Sequence, residues 1–334
     1  MLARAFLLLV VFQLGACAST LRPEEAAAIE GRTYVVTGAS SGFGRGVALK
    51  LAQLRANVVL AARRTGLLEE VAAEARKHGA QALVVTTDVA DPRAMQRLAA
   101  ATLEKFGRID AWINNAGVAA IGPFWDIPAE DHARIVDVNL KGTVYGSREA
   151  LRQFTRQGHG TLVNVGSVES EVPVAYHASY AASKAGVLNL GRALNEELRL
   201  AGHERIKVST VMPWAADTPL WEHVGNYSGG TPRMPWMDGP EITVDAIVRA
   251  SLYPEEEVPA GWKARGARVA HGIAPDATEH ITGNIAHRWQ IETAPPAPPT
   301  AGNLHEPVHE GGTVTGTSRQ RMRMEDGAST GATR

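Results

Sequence analysis

The chain has 334 residues, 45% of them hydrophobic and 21% charged, with a formal net charge of −1. That length holds one large domain or two small ones, and the composition supplies a sizeable core and excludes wholesale disorder. The near-zero charge excludes a global basic field for nucleic acid, and the single cysteine excludes an internal disulfide and a cysteine-built zinc site.

A lone Arg4 precedes an apolar run from Ala5 to Ala16, too short for a spanning helix, which needs roughly 20 residues. A positive start, a short apolar core and small residues at its end form the pattern of a secretory signal. "Leu14-Gly15-Ala16-Cys17" resembles the bacterial lipobox, in which the cysteine is lipidated and the acyl chains hold the protein at a membrane. Residues 1–17 are therefore expected to be a signal or anchor giving membrane contact, and 18–30 a linker. The side of the membrane stays open, and a cytoplasmic protein is the alternative.

From Arg32 a βα alternation begins. Strands are expected at 33–38, 57–63, 82–89, 109–117, 160–167 and 206–213. Helices fall at 44–55, 67–79 and 91–107, with a long one at 178–201. The helix at 91–107 has Asp91 to cap it, Pro92 at its first position and Gly107 past its end. Continuous apolar strands between amphipathic helices imply an α/β fold, a doubly wound parallel sheet of the Rossmann type in one domain. Its ligand crevice lies at the carboxyl ends of the strands. After Pro213 a long loop, 214–243, is rich in Trp, Met, Gly and Pro and reads as a lid. Residues 244–290 add a helix or two, and Pro259 argues against a seventh strand in "EEEVPAG". The domains expected are 31–255 for the catalytic unit, 256–292 for a helical extension and 293–334 for a disordered Pro/Gly-rich tail.

The chemistry starts at the first turn. Gly38, Ser40, Ser41, Gly42, Phe43 and Gly44 join the first strand to the first helix. Glycines there let the backbone approach a pyrophosphate, and the helix N-terminus offers it free N–H groups. Tyr180 and Lys184 are one helical turn apart and share a face. A phenol is a poor base at neutral pH, and a nearby ammonium would favour the phenolate and lower its pKa. Tyr180 then serves as general acid/base, and Ser167 hydrogen-bonds the substrate oxygen.

The spacing TGxxxGxG resembles that of the short-chain dehydrogenase/reductase family. The resemblance extends to Asn114-Asn115-Ala116-Gly117, to Asn139 in "DVNL", to Ser167 and to Tyr180-Ala-Ala-Ser-Lys184, in order over about residues 31–220. It implies hydride transfer between a nicotinamide cofactor and a secondary alcohol, ketone or aldehyde. It also implies Lys184 on the nicotinamide ribose, and Asn139 as a relay through a water on its backbone. Asp88 and Val89 should meet the adenine, with Asn115, Ala116 and Gly117 along the adenosine side. Pro213 and Thr218 should lie at the carboxamide, although Trp214 stands where the family usually has glycine. The second strand ends in Arg63 and Arg64 rather than a carboxylate. Two guanidiniums suit a 2′-phosphate, so NADP is expected over NAD. The resemblance also implies a homodimer or homotetramer. Trp214, Trp221, Met234, Trp236 and Met237 suggest an apolar substrate, and no nucleic-acid partner is expected. The competing expectation is a nucleotide-binding or sensing protein that kept the fold without turnover.

Overall fold

The computed structural model describes residues 23–308 and 310–331, so the lipobox-like segment lies outside the described residues. The first half runs α1 (Pro23–Ala27), β1 (Thr33–Thr37), α2 (Gly42–Gln53), β2 (Asn57–Ala62), α3 (Thr65–Lys77), β3 (Ala82–Thr86), α4 (Pro92–Phe106) and β4 (Ala111–Asn114). There follow β5 (Ala120–Ile121), α5 (Ala129–Val136), α6 (Gly142–Gln157), β6 (Gly160–Val165), α7 (Ala178–Leu200) and β7 (Ile206–Pro213). The remainder is α8 (Leu220–His223), β8 (Gly225–Asn226), α9 (Pro240–Leu252), β9 (Glu257–Ala260), α10 (Gly261–Ile273), α11 (Pro275–His287) and α12 (Ser318–Gly331).

Seven strands form one parallel sheet in the order β3-β2-β1-β4-β6-β7-β9. The order reverses between β1 and β4, which opens a crevice at their carboxyl ends. Val35 and Val36 point to opposite faces of β1 and enter different cores. On one face Val36, Val58 and Leu60 pack on Val47 and Leu51 of α2, Leu68 of α3 and Ile247 of α9. On the other, Val35, Val59, Trp112 and Leu162 pack on Met95 and Leu98 of α4 and Phe154 of α6. Each fully buried side chain of this size contributes about 1.5–3 kcal/mol. As expected, Asp91 accepts from the Arg93 amide at 2.8 Å and Gly107 closes α4 at φ 72°.

Three expectations are corrected. Residues 257–260 do form a seventh strand despite Pro259, because β9 sits at the sheet edge and pairs only with β7. A missing N–H on the open side costs no ladder bond there. The extension 256–292 therefore carries an edge strand of the main sheet as well as helices, and the second half of the expected linker is docked. Ile29 is fully buried, and buried Glu25 lies 3.6 Å from Arg249. The third correction is the largest: the tail expected to be disordered is packed along the carboxyl edge of the sheet. Leu304 is fully buried, and Thr300 exchanges backbone bonds of 2.7 and 2.9 Å with Asn226 of β8. Composition alone missed this, because the segment docks through backbone carbonyls and a few anchors rather than through an apolar face of its own.

Candidate active site

The crevice begins at the turn after β1. Gly38 has φ 68°, and a Cβ on it would lie 2.8 Å from the Ala116 Cα. A Cβ on Gly44 would lie 2.2 Å from the Gly38 carbonyl oxygen. Only glycine at both positions lets α2 start this close to β1 and to the Asn115–Gly117 loop. Thr37 fixes that loop from beneath: its hydroxyl accepts from the amides of Asn115 and Ala116, at 3.0 and 3.2 Å. Gly38, Ser40, Ser41, Gly42 and Phe43 line the cleft, with Asp88, Val89, Asn115, Ala116 and Gly117 opposite. Gly44 does not line it; its part is packing. This cradle fits a dinucleotide, since it combines backbone glycine would have to supply with a twelve-residue helix N-terminus.

The other end of the cleft is built from β6, α7 and the loop after β7. Ser167 lies two residues beyond β6, and its hydroxyl accepts from the Glu169 amide at 3.1 Å while its own amide donates to Ser170 Oγ. Tyr180 and Lys184 face it from α7, and all three line the same cavity. Lys184 Nζ donates to the Val165 carbonyl at 2.8 Å and lies 5.7 Å from the Tyr180 ring centroid. Asn139 sits in a π-helical turn, Asp137–Lys141, between α5 and α6. Its side chain bonds both the amide and the carbonyl of Val118 at 2.9 Å and Ser183 Oγ at 3.0 Å. Asn139 is fully buried behind the cleft wall, and its backbone carbonyl accepts from Thr143 Oγ1 at 2.7 Å. A Cβ on Gly117 would be 3.4 Å from Asn139 Oδ1 and 3.6 Å from Lys184 Nζ, so these three motifs meet at one point.

The electrostatics correct one expectation. Burial pushes the Tyr180 phenol well above its ordinary range; the Glu169 carboxylate adds to this and the Ser167 hydroxyl opposes it. Burial also lowers the Lys184 ammonium from 10.5 to about 8, against the pull of Glu169. Desolvation of the phenol, rather than the nearby ammonium, thus sets the direction of its shift.

Two groups in this part of the cleft were not among the expected site residues: Glu169, and His177, which as a lone histidine was not claimed as catalytic. Glu169 and His177 are both buried in the cleft wall, with His177 Nδ1 3.1 Å from the Glu169 carboxylate. Gln290, fully buried, donates from Nε2 to His177 Nε2 at 3.0 Å. The sequence signal was an acidic residue two positions after Ser167, at a strand end facing a crevice. The rest of this wall is apolar. Trp214, Trp221, Met234 and Trp236 line it as expected, whereas Met237 is buried in the fold away from it. Trp214 Nε1 donates to the Trp236 carbonyl and Trp221 Nε1 to the Ala216 carbonyl, both at 3.1 Å, which ties the loop shut on itself. Pro213 and Thr218 also line the cleft.

At the β2 end of the cleft Arg63 and Arg64 line it, but their side chains are engaged by the packed tail. Arg63 donates to the carbonyls of Asn303 and His305 at 2.6 Å and of Leu304 at 3.3 Å. Arg64 donates to those of Val308 and Glu310 at 3.1 and 2.8 Å, and to Ser40 and Ser41. Burial lowers the pKa of both guanidiniums. Asp88, expected at the adenine, accepts from Arg134 at 2.7 Å and from the Ala90 amide at 3.0 Å. Among the described residues no helix is long and apolar enough to cross a membrane.

Comparison with known proteins places this geometry. An uncharacterized oxidoreductase of Bacillus subtilis, YxnA, is 30% identical over 299 residues, covering 88% of this chain and 84% of that protein. The cis-4-hydroxycyclohexanecarboxylate dehydrogenase of Sinomonas cyclohexanicum is 34% identical over 258 residues, 76% of this chain and 93% of the other. A short-chain dehydrogenase/reductase from Burkholderia phymatum, solved in complex with NAD, superposes with a TM-score of 0.66 at 27% identity, covering 77% of this chain and 97% of that one. A Burkholderia cenocepacia short-chain dehydrogenase solved with NADP gives 0.64 at 27% identity, over 76% and 98% of the two chains. The family model described as short chain dehydrogenase matches residues 32–227. With the glycine turn, the Asn115–Gly117 loop and the Ser167–Tyr180–Lys184 cluster opening on one cleft, the chain belongs to the short-chain dehydrogenase/reductase family of oxidoreductases.

Proposed function

We propose that the protein interconverts a secondary alcohol and a ketone or aldehyde, with NADP(H) as the hydride carrier. The observation that carries this reading is that Ser167, Tyr180 and Lys184 share one cavity with the glycine-rich turn. A bound reduced nicotinamide supplies a hydride. Around it the chain's own groups divide the remaining work. Ser167 donates a hydrogen bond to the substrate oxygen and steadies the charge that develops there. Tyr180 gives its hydroxyl proton to that oxygen in reduction and takes one back in oxidation. A phenol that burial keeps protonated suits the donor role, so the reading favours reduction. Lys184 holds its ammonium at the floor of the same cavity, one turn from Tyr180.

Support for NADP comes from Arg63 and Arg64 at the end of β2, where a carboxylate would favour the unphosphorylated ribose. The tryptophan-rich wall, with Glu169 and His177 as its polar group, supports a substrate that is mostly apolar. The decisive experiment is a screen of NADPH oxidation over ketones and aldehydes with Tyr180→Phe as control. Loss of the proton donor should lower kcat by ~10²–10⁴-fold while cofactor binding is retained. A loss below tenfold takes the proton-donor role from Tyr180, and full cofactor binding with no turnover by the unaltered protein on any carbonyl leaves the dinucleotide-binding reading in its place.

A further inference from the structure

The packed segment after α11 crosses the adenosine end of the cleft as a strap, and its fit there is specific. Two glycines permit its path. Gly302 has φ 54°, and a Cβ on it would lie 2.2 Å from the His223 carbonyl oxygen. Gly311 has φ 73°, and a Cβ there would lie 2.3 Å from His223 Nε2. Between them Leu304 is fully buried and its carbonyl also accepts from Arg134 Nε at 2.9 Å. Beyond them Asp217 holds the start of α12, accepting from the Ser318 amide and from Arg319 Nε at 3.0 Å. The strap also reaches the helix that begins the cradle: the Gly42 amide donates to the Thr313 carbonyl at 2.9 Å.

What the strap holds are the two cationic groups at the end of β2. A guanidinium has five N–H donors. Those of Arg64 point Nε and Nη2 at Ser40 and Ser41, and Nη1 at two strap carbonyls. All of its donor nitrogens are taken. Three more strap carbonyls sit on Arg63. A 2′-phosphate is a stronger acceptor than a carbonyl, because its bonds to a guanidinium are charge-assisted. It must nonetheless displace these carbonyls to reach the arginines, whereas a dinucleotide with a free 2′-hydroxyl has no need of them.

We infer that residues 302–308 and 310–319 are a specificity-determining part of the cofactor site, whose backbone carbonyls compete with the 2′-phosphate for Arg63 and Arg64 and so narrow the discrimination between NADP(H) and NAD(H). The inference rests on the reading of these arginines as the 2′-phosphate ligands. It assigns the strap an effect on the ratio of the two affinities, since any walling-off of the cleft would act on both dinucleotides alike.

The test is the ratio of dissociation constants for NADP+ and NAD+, measured by calorimetry on the full chain and on Gly302→Val and Gly311→Val, each with and without Arg64→Met. Releasing the strap should improve NADP+ binding relative to NAD+ by at least about tenfold, with folding checked by thermal melting, and Arg64→Met should remove that gain. If both affinities fall together, or neither changes, the strap is a wall or a structural clip and the inference is overturned. If Arg64→Met leaves NADP+ affinity unchanged in every background, the phosphate reading of the arginine has failed and takes the inference with it. If Arg64→Met weakens NADP+ while the valine variants leave the ratio unmoved, that reading stands and the strap's role alone fails. Hydrogen exchange on the unaltered protein covers the case of a variant that does not fold. NADP+ should speed exchange of the Asn303 and Gly316 amides, now bonded to the His223 and Asp217 carbonyls at 2.9 Å, and NAD+ should not. Equal exchange with both cofactors overturns the proposal.

Discussion

Lys184 is wholly inside the fold, with its ammonium donating to the Val165 carbonyl. Its folded pKa, about 8, lies below the ordinary 10.5 because burial disfavours the charge. The unfolded chain therefore binds more protons here between those values, and stability rises with pH across that window. Below about pH 8 the fold carries the full cost of a buried charge. Lys184→Met should accordingly raise Tm at pH 7 by several degrees, and by much less at pH 10, as followed by circular dichroism. An equal gain at both pH values would show that packing and not charge sets the effect. Such a trade of stability for a placed charge is common in active sites.

At the scale of elements, the π-helical turn between α5 and α6 decides where Asn139 stands. One extra residue in the turn swings that side chain out of the helix line and onto Val118, in the strand-to-loop step after β4. Asn139→Ala would leave the Val118 amide and carbonyl without these partners, each costing about 1–3 kcal/mol when buried. The expected outcome is a fall in urea midpoint together with a loss of turnover, since Val118 and Gly117 form the cleft wall beside Lys184. Unchanged stability would mean that water replaces both bonds. Much of this scale was legible beforehand. Six of the seven strands, all but the edge strand β9, announced themselves as apolar runs, and Asp91, Pro92 and Gly107 marked both ends of α4. The edge strand was missed because Pro259 reads as a breaker until its neighbour is known. The π turn was missed because a one-residue bulge leaves no mark in a hydrophobic period.

Across the whole molecule, legibility followed the distance between partners. The glycine turn and the Tyr180–Lys184 pair carry their chemistry in local spacing, and Ser167 was placed beside them by the family resemblance of the motifs in order. The strap was invisible because it pairs residues some 240 positions apart, Arg63 with Asn303 and Arg64 with Val308, through carbonyls that every sequence possesses. The Glu169–His177–Gln290 chain shares that property, since its third member arrives from the turn after α11. The knotted tryptophan loop has a practical corollary. Trp214, Trp221 and Trp236 ring the reacting end of the cleft, and a reduced nicotinamide absorbs light where indole emits. Intrinsic emission should therefore drop on titration with NADPH through energy transfer to the dihydropyridine. Trp214→Phe should shrink the amplitude of that signal. The protein thus carries its own optical gauge of occupancy, readable without a substrate.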